Sequence, residues 1–210
     1  MEIFTARPDY SGRISDAAKN GYAFTLQALS RDFTQALAEE LLSGPFVQFF
    51  DLGRGVYQRF EVFAPLYFDR STIQNYPLMR ELGDTLGQLV RASAGRYKTL
   101  TTWQPNDVAI QRYNGRYDGI GRHRDFASDI YLIVSYTIVG TGELKMYSTR
   151  EDLHPCKVLQ TGPGSELIMR APKLFESDQD LRPTHSVPPP ICGPRISLTY
   201  RLATKLGLKG

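Results

Sequence analysis

The sequence predicts an α+β fold in which two N-terminal helices support a β-sandwich or barrel. Two amphipathic helical patterns occupy the first half of the chain. Five short runs rich in β-branched and aromatic residues follow in the second half, and clusters of Gly, Pro, Asn and Asp separate them. Helices that precede a series of strands favour an arrangement in which the helices cover one face of a sheet.

The two helices are predicted from apolar residues that recur every three or four positions. The first begins after Ser30 and ends at the segment 43–45, which reads Ser-Gly-Pro. Its apolar face consists of Phe33, Leu37, Leu41 and Leu42. The second runs from about 76 to 94 and is closed by Gly95. Its apolar face consists of Leu78, Met79, Leu82, Leu86, Leu89 and Val90.

The remaining segments are predicted as strands and loops. Strands are predicted at 46–50, 56–63, 108–113, 131–139, 143–148, 165–170 and 195–201. The segments 172–183 and 188–194 are rich in Pro and polar residues and are predicted as loops. Residues 1–22 are polar and contain Pro8, Gly12 and Gly21, so we expect a loosely ordered arm there.

The size and composition of the chain indicate one globular domain spanning residues 1–210. A length of 210 residues suits one well-buried core. No stretch approaches the roughly 20 apolar residues of a membrane helix, and the first residues lack the apolar core of a signal peptide. Cys156 and Cys192 are too few for a disulfide scaffold. We therefore expect a monomer with no membrane partner, located in the cytoplasm, or in the nucleus of a eukaryote.

The histidines carry the first chemical signal. His123 and Asp125 form a His-x-Asp pair, and His185 follows far downstream. On a strand, positions two apart point to the same face, so the pair can reach one ion. Two imidazoles and one carboxylate with open positions suit a non-haem Fe(II) that also binds a cosubstrate and O₂. The alternative is a surface His beside a surface Asp, with a structural His185. His154 has no partner motif and is predicted to be a loop residue.

The last predicted strand carries the second signal. On an alternating strand Arg195, Ser197, Thr199 and Arg201 share one face, opposite the apolar residues. Two arginines on an inward face are costly unless they meet anions. A guanidinium group binds a carboxylate through two parallel hydrogen bonds, and 2-oxoglutarate carries two carboxylates. This pattern favours 2-oxoglutarate as a cosubstrate, with structural salt bridges as the alternative.

From about residue 100 to its end the chain resembles the AlkB-like branch of the Fe(II)/2-oxoglutarate-dependent dioxygenases. The resemblance rests on the His-x-Asp pair, the distant His185 and the closing strand. The family's closing strand reads Arg-x-Asn-Leu-Thr-Phe-Arg, and here it reads Arg-Ile-Ser-Leu-Thr-Tyr-Arg from Arg195 to Arg201. Gln111-Arg112-Tyr113 stands where the family has Asn-x-Tyr.

The resemblance implies a double-stranded β-helix (jelly-roll) core in residues 101–210, with N-terminal helices that support it. It also implies an oxygenase that uses Fe(II), 2-oxoglutarate and O₂, and that releases succinate and CO₂ as it hydroxylates a C–H bond. The implied iron ligands are His123, Asp125 and His185. The implied cosubstrate residues are Arg195 and Tyr113 at the distal carboxylate, with Gln111 assisting, Arg201 near the metal-side carboxylate, and Ser197 in place of an Asn.

The substrate is the most open part of the prediction. Residues 23–100 are expected to supply a lid, in which Tyr57, Arg59 and Phe60, with Arg124 of the metal motif, would contact a flipped or single-stranded base. Packing of these side chains against the helices is the alternative. The leading hypothesis is oxidative demethylation of a nucleobase in DNA or RNA, although Ala127 stands where the repair enzymes of the family have an acidic residue. The others are hydroxylation of a protein side chain or small metabolite, and a non-enzymatic binding barrel of cupin type.

Overall fold

The computed structural model describes residues 1–52, 55–175 and 181–204. The helices are α1 Tyr10–Asn20, α2 Arg31–Leu42, α3 Ala64–Phe68 and α4 Pro77–Ala92. The first five strands are β1 Tyr22–Thr25, β2 Phe46–Asp51, β3 Gln58–Phe63, β4 Asp107–Tyr113 and β5 Gly119–His123. The last five are β6 Asp129–Tyr147, β7 Lys157–Thr161, β8 Glu166–Arg170, β9 Thr184–Val187 and β10 Cys192–Ala203.

The strands form a closed antiparallel barrel of the double-stranded β-helix type, as the sequence predicts. Their order is β1-β8-β6-β10-β4-β3-β5-β9, and β9 pairs back onto β6. Closure depends on β6, whose 19 residues pair with β8 and β10 in the first part and with β7 and β9 in the last. Strand β2 extends the sheet as a hairpin with β3.

Strand β6 corrects the prediction of two separate strands at 131–139 and 143–148. The pairing of β6 continues across the glycines between them. Gly140 has a φ of +72°, and a Cβ there would lie 2.1 Å from the carbonyl oxygen of Pro194. Glycine therefore allows the strand to turn from one side of the barrel to the other without ending.

The helices pack against the outer face of the barrel at strands β8, β6 and β10. Ser30 caps α2 by accepting a hydrogen bond from the backbone N–H of Phe33 at 3.3 Å, as expected for a helix start. The predicted faces of α2 and α4 are largely buried, except that Leu42 is 51% exposed and does not belong to the core. The sheet residues packed against the helices include Leu132, Val134, Tyr136, Ile196, Leu198 and Tyr200.

The expected loose arm at 1–22 is wrong, because residues 10–20 form the well-packed helix α1. Ile14 is fully buried and Ala17 and Ala18 lie beside it at helical spacing. The two glycines that suggested a loop belong to the helix ends: the N–H of Gly12 donates to the Asp9 side chain at 3.0 Å, and Gly21 ends the helix in a left-handed conformation.

The predicted loops are only partly described. In the segment 172–183, residues 176–180 lie outside the described residues. In the segment 188–194, the last residues belong to β10, which begins at Cys192 and is irregular up to Ile196. Both cysteines are free and exposed. Within residues 1–52, 55–175 and 181–204, no helix combines the length and the apolar character needed to cross a membrane.

Candidate metal centre

The pairing of β5 with β9 brings the two predicted histidines together. His123 and His185 are cross-strand partners, and their ring centroids lie 4.2 Å apart. Asp125 lies just beyond the end of β5 and turns its carboxylate toward both rings. Its Oδ1 is 3.9 Å from His123 Nε2 and its Oδ2 is 3.8 Å from His185 Nε2. The three potential ligand atoms all lie within 4.8 Å of one another.

Backbone carbonyls orient both imidazoles. His123 Nδ1 lies 2.9 Å from the carbonyl oxygen of Gly121, and His185 Nδ1 lies 3.3 Å from that of Pro183. A carbonyl only accepts hydrogen bonds, so in a neutral imidazole at either position Nδ1 carries the proton and Nε2 keeps its lone pair. Both lone pairs then point into the space that Asp125 also faces, which is the usual way that metal-binding histidines are held.

The electrostatic surroundings suit a cation. Burial and the neighbouring His185 lower the pKa of His123 to about 4, and Asp125 opposes this shift in part. The His123 imidazole is therefore neutral near pH 7, which is the form that binds a metal. Two imidazoles and one carboxylate match the donor set of a non-haem Fe(II) site. The side chains of His123 and Asp125 are only 17% and 22% exposed and Asp125 faces both rings, which disfavours the alternative of a surface pair.

Arg195 on β10 is a buried cation that lacks hydrogen-bond partners at two of its nitrogens. The residue is 4% exposed, and its Nε and Nη1 contact no acceptor among the described residues. Burial lowers the pKa of this guanidinium group, which Tyr113 opposes. A buried charge without a partner costs several kcal/mol. The site is therefore suited to an anion that supplies the missing acceptors.

The predicted cosubstrate residues form one cluster around Arg195. Across the β10–β4 pair, Arg195 lies opposite Tyr113, and Ser197 opposite Gln111. The buried hydroxyl of Tyr113 donates to Gln111 Oε1 at 2.9 Å. Burial raises the pKa of Tyr113, and this residue belongs to the same buried cluster as Met146, the cross-strand partner of His185. The cluster therefore lies in the same interior as the metal ligands.

Arg201 differs from Arg195 because it has carboxylate partners. Its Nη2 lies 2.8 Å from Asp107 and its Nη1 lies 3.4 Å from Asp129. Burial alone would lower the pKa of Arg201, but Asp107, Asp129 and then Asp125 together raise it. The position of Arg201 near the metal-side carboxylate and its contact with the cosubstrate stay predictions.

Two of the predicted substrate residues lie at an exposed surface. Tyr57 is 39% exposed, and its hydroxyl donates to the carbonyl oxygen of Tyr117. Arg59 pairs with Asp118 at 3.3 Å and lies over the ring of Tyr117. Both side chains remain available to a ligand, and their contact with the substrate stays a prediction.

Phe60 and Arg124 have different surroundings. Phe60 is 4% exposed and stacks on Phe49 with ring centroids 5.0 Å apart. Strand β3 turns the Phe60 ring into the barrel, with its centroid 5.8 Å from that of Tyr113, and its contact with the substrate stays a prediction. Arg124 donates from Nε to Thr184 Oγ1 at 3.2 Å, beside His185. His154 lies exposed in a loop, as predicted.

Three residues that contact the predicted arginines were not predicted from the sequence: Gly142, Asp107 and Asp129. A Cβ on Gly142 would lie 3.0 Å from Arg195 Cδ, so this glycine leaves room for the buried arginine. Asp107 and Asp129 are the acidic partners of Arg201. Their positions at the first residues of β4 and β6, opposite the end of β10, are the signal that could have indicated them.

No protein-family model matches the sequence, and no curated protein matches it at the sequence level. Solved structures do share its fold. A prolyl hydroxylase from Trichoplax adhaerens, in complex with a hypoxia inducible factor oxygen degradation domain peptide fragment, has a TM-score of 0.63 and 16% identity, covering 92% of this chain and 89% of its own. A 2OG-Fe(II) oxygenase family oxidoreductase from Burkholderia pseudomallei has a TM-score of 0.62 and 15% identity, covering 99% and 97%. The non-heme alpha ketoglutarate dependent epimerase SnoN from nogalamycin biosynthesis has a TM-score of 0.60 and 14% identity, and the match covers 93% of this chain and 83% of its own.

Proposed function

We propose that this chain is a dioxygenase dependent on Fe(II) and 2-oxoglutarate. His123, Asp125 and His185 would hold the metal, and Arg195 would bind the distal carboxylate of 2-oxoglutarate. The observation that carries the proposal is the buried guanidinium group of Arg195, with two nitrogens that lack acceptors, in the same barrel interior as a two-histidine, one-carboxylate cluster. The solved oxygenases that share the fold support the assignment.

The roles of the protein groups follow from their contacts. The carbonyl oxygens of Gly121 and Pro183 keep each histidine in the tautomer that offers Nε2. The fork of Arg195 is suited to a bidentate carboxylate, and Tyr113 lies opposite it on β4 while Ser197 lies two residues further along β10. The apolar residues of the barrel interior, which include Leu144 and Leu167, exclude water from this end of the site.

When bound, Fe(II) supplies the activation of O₂ that couples decarboxylation of 2-oxoglutarate to substrate oxidation. In the balanced reaction, the substrate R–H, O₂ and 2-oxoglutarate give R–OH, succinate and CO₂. One oxygen atom enters the product and the other enters succinate. A hydroxylated N-methyl group would then lose formaldehyde, which is the route to demethylation.

An anaerobic titration tests the proposal against a barrel of cupin type that only binds ligands. Fe(II) with 2-oxoglutarate should give the weak visible absorption of a chelated keto acid, and this absorption should disappear in Asp125→Ala. Oxygen should then release succinate. If the wild-type protein gives neither absorption nor succinate, the dioxygenase assignment is wrong.

The substrate class is the finer part of the proposal. The closing strand from Arg195 to Arg201 resembles that of the AlkB-like branch and favours a methylated nucleobase. The fold shared with a prolyl hydroxylase bound to a peptide fragment favours a protein side chain as the second candidate. A screen of methylated oligonucleotides, peptides and metabolites for stimulated succinate release separates the two, because the true substrate raises turnover and the other class leaves it unchanged.

A further inference from the structure

An open groove of about 570 Å³ crosses the barrel where β3, β5, β9 and the end of β6 lie side by side. Its polar and aromatic lining includes Tyr57, Arg116, Tyr117, Arg122, Lys145 and Tyr147. This volume lies within the range of small-molecule sites, which is roughly 300–1,000 Å³.

The groove lies on the opposite side of the strands from the metal ligands. Successive side chains of a strand point to opposite faces. Met146 is the cross-strand partner of His185 and is buried in the barrel, so its neighbours Lys145 and Tyr147 face outward. Ser186 follows His185 and faces outward too, with its hydroxyl 3.2 Å from that of Tyr147. A ligand in the groove would therefore be separate from the proposed iron site.

The charges of the groove favour an anion. Three of its lining side chains are cationic and one, Asp118, is acidic. Asp118 is already satisfied, because it pairs with Arg59 and accepts hydrogen bonds from two backbone N–H groups. Among the described residues, the acidic partner of Lys145 is Glu143, at 3.5 Å in a partly exposed pair. Arg122 Nη1 is buried and has no hydrogen-bond partner among the described residues.

The aromatic rings of the groove favour a flat group next to that anion. Arg122 lies 5.5 Å from the ring centroid of Tyr147, and Arg116 lies 4.7 Å from that of Tyr117. Stacked arginine and tyrosine planes accept a further ring, while the guanidinium edge keeps N–H groups for a phosphate. An acidic peptide would use the charges and leave the rings unused.

We infer that this groove is a second binding site, separate from the iron site, for a phosphorylated ligand with a flat ring and the size of a mononucleotide. The phosphate would meet Arg122 and Lys145, and the ring would lie against Tyr147. The same chemistry occurs in a free nucleotide and in the end of a single strand.

Calorimetric titration of the full chain with adenosine 5′-monophosphate tests the inference, with inorganic phosphate and a short oligothymidylate as further probes. Lys145→Gln and Arg122→Gln should each weaken binding of the nucleotide about tenfold, as expected for one charge-assisted contact. Tyr147→Leu should weaken binding of the nucleotide but leave binding of inorganic phosphate unchanged. Arg80→Gln, which removes an exposed cation of α4, is the matched control and should bind as the wild type does.

Each contrary outcome overturns the inference. The proposed site is wrong if the nucleotide does not bind to the wild type, or binds to Lys145→Gln and Arg122→Gln as tightly as to the wild type. If phosphate binds as tightly as the nucleotide, the aromatic rings play no part in binding. If only the oligothymidylate binds, the groove is a site for a single strand and not for a mononucleotide. Binding of Fe(II) and 2-oxoglutarate by Lys145→Gln is measured separately. A failure of the dioxygenase assignment would therefore leave the conclusion about the groove unchanged.

Discussion

Arg195 of β10 and Tyr113 of β4 are direct partners across an antiparallel strand pair, with the guanidinium carbon 5.6 Å from the centre of the phenol ring. A cation near an aromatic face gains a modest attraction, which holds the side chain without using its hydrogen bonds. The pairing therefore positions the arginine and leaves Nε and Nη1 available to an anion.

Arg195→Lys tests whether the guanidinium fork, and not its charge alone, binds 2-oxoglutarate. Lysine keeps the charge but cannot form two parallel hydrogen bonds, so we expect the dissociation constant of 2-oxoglutarate to rise about tenfold or more. The measurement is the anaerobic titration of visible absorption. Arg112→Lys is the control, because Arg112 pairs with Glu61 at 2.5 Å and stacks on Phe46. If Arg195→Lys binds 2-oxoglutarate as tightly as the wild type does, the assignment of Arg195 to the cosubstrate site is wrong.

Gly142→Ala tests the position of Arg195 without changing it. The added methyl group would lie 3.0 Å from Arg195 Cδ, so the arginine must move by a few tenths of an ångström. We expect 2-oxoglutarate to bind several-fold more weakly, because a bidentate contact tolerates little displacement. Gly162→Ala is the matched control, since its methyl group would meet Thr141 at an ordinary 3.9 Å. Equal affinity in both variants would contradict a close fit around Arg195.

His123→Ala tests the metal site. Without metal, the variant should stay folded, with a free energy of unfolding within about 1–3 kcal/mol of the wild type. The stabilisation that Fe(II) or Mn(II) gives to the wild type by binding the native state should be lost. Thermal unfolding with and without the metal measures both effects. His154→Ala, in an exposed loop, should respond to metal as the wild type does. A metal response that survives in His123→Ala would exclude the proposed ligand set.

Local periodicity explains which elements the sequence could predict. Helices α2 and α4 repeat apolar residues over three turns or more, and β10 alternates strictly, so that Ile196, Leu198 and Tyr200 face the helices while Arg195 and Ser197 face the interior. Each of these patterns is contained in one short stretch of sequence. The alternation of one strand was therefore enough to predict that Arg195 faces the interior.

The contact between His123 and His185 could not be derived in the same way. It depends on the register of β5 with β9, two strands of 5 and 4 residues that are distant in the chain. Neither strand carries a long alternating pattern, so only the His-x-Asp motif and the family resemblance suggested the partner. The buried position of Phe60 has the same origin, because it depends on the pairing of β3 with strands on both sides.

Helix α1 was missed because its capping residues resemble loop signals, and Tyr10→Phe tests how firmly it is held. Tyr10 donates to the buried carboxylate of Glu166 at 2.5 Å and lies 3.0 Å from the hydroxyl of Tyr136, while Arg13 pairs with the same carboxylate. Burial, followed by the charge of Glu166, raises the pKa of the Tyr10 phenol well above its usual value, so this hydroxyl keeps its proton.

Removal of the Tyr10 hydroxyl takes one donor from a buried carboxylate. We expect the free energy of unfolding to fall by about 1–3 kcal/mol, since hydrogen bonds to charged groups contribute that much. Denaturant unfolding measures the change, and Tyr22→Phe, at the neighbouring strand β1, is the control. A loosely ordered N-terminal segment would make the two variants equally stable. A selective loss in Tyr10→Phe would show that α1 is an integral part of the layer that supports the barrel.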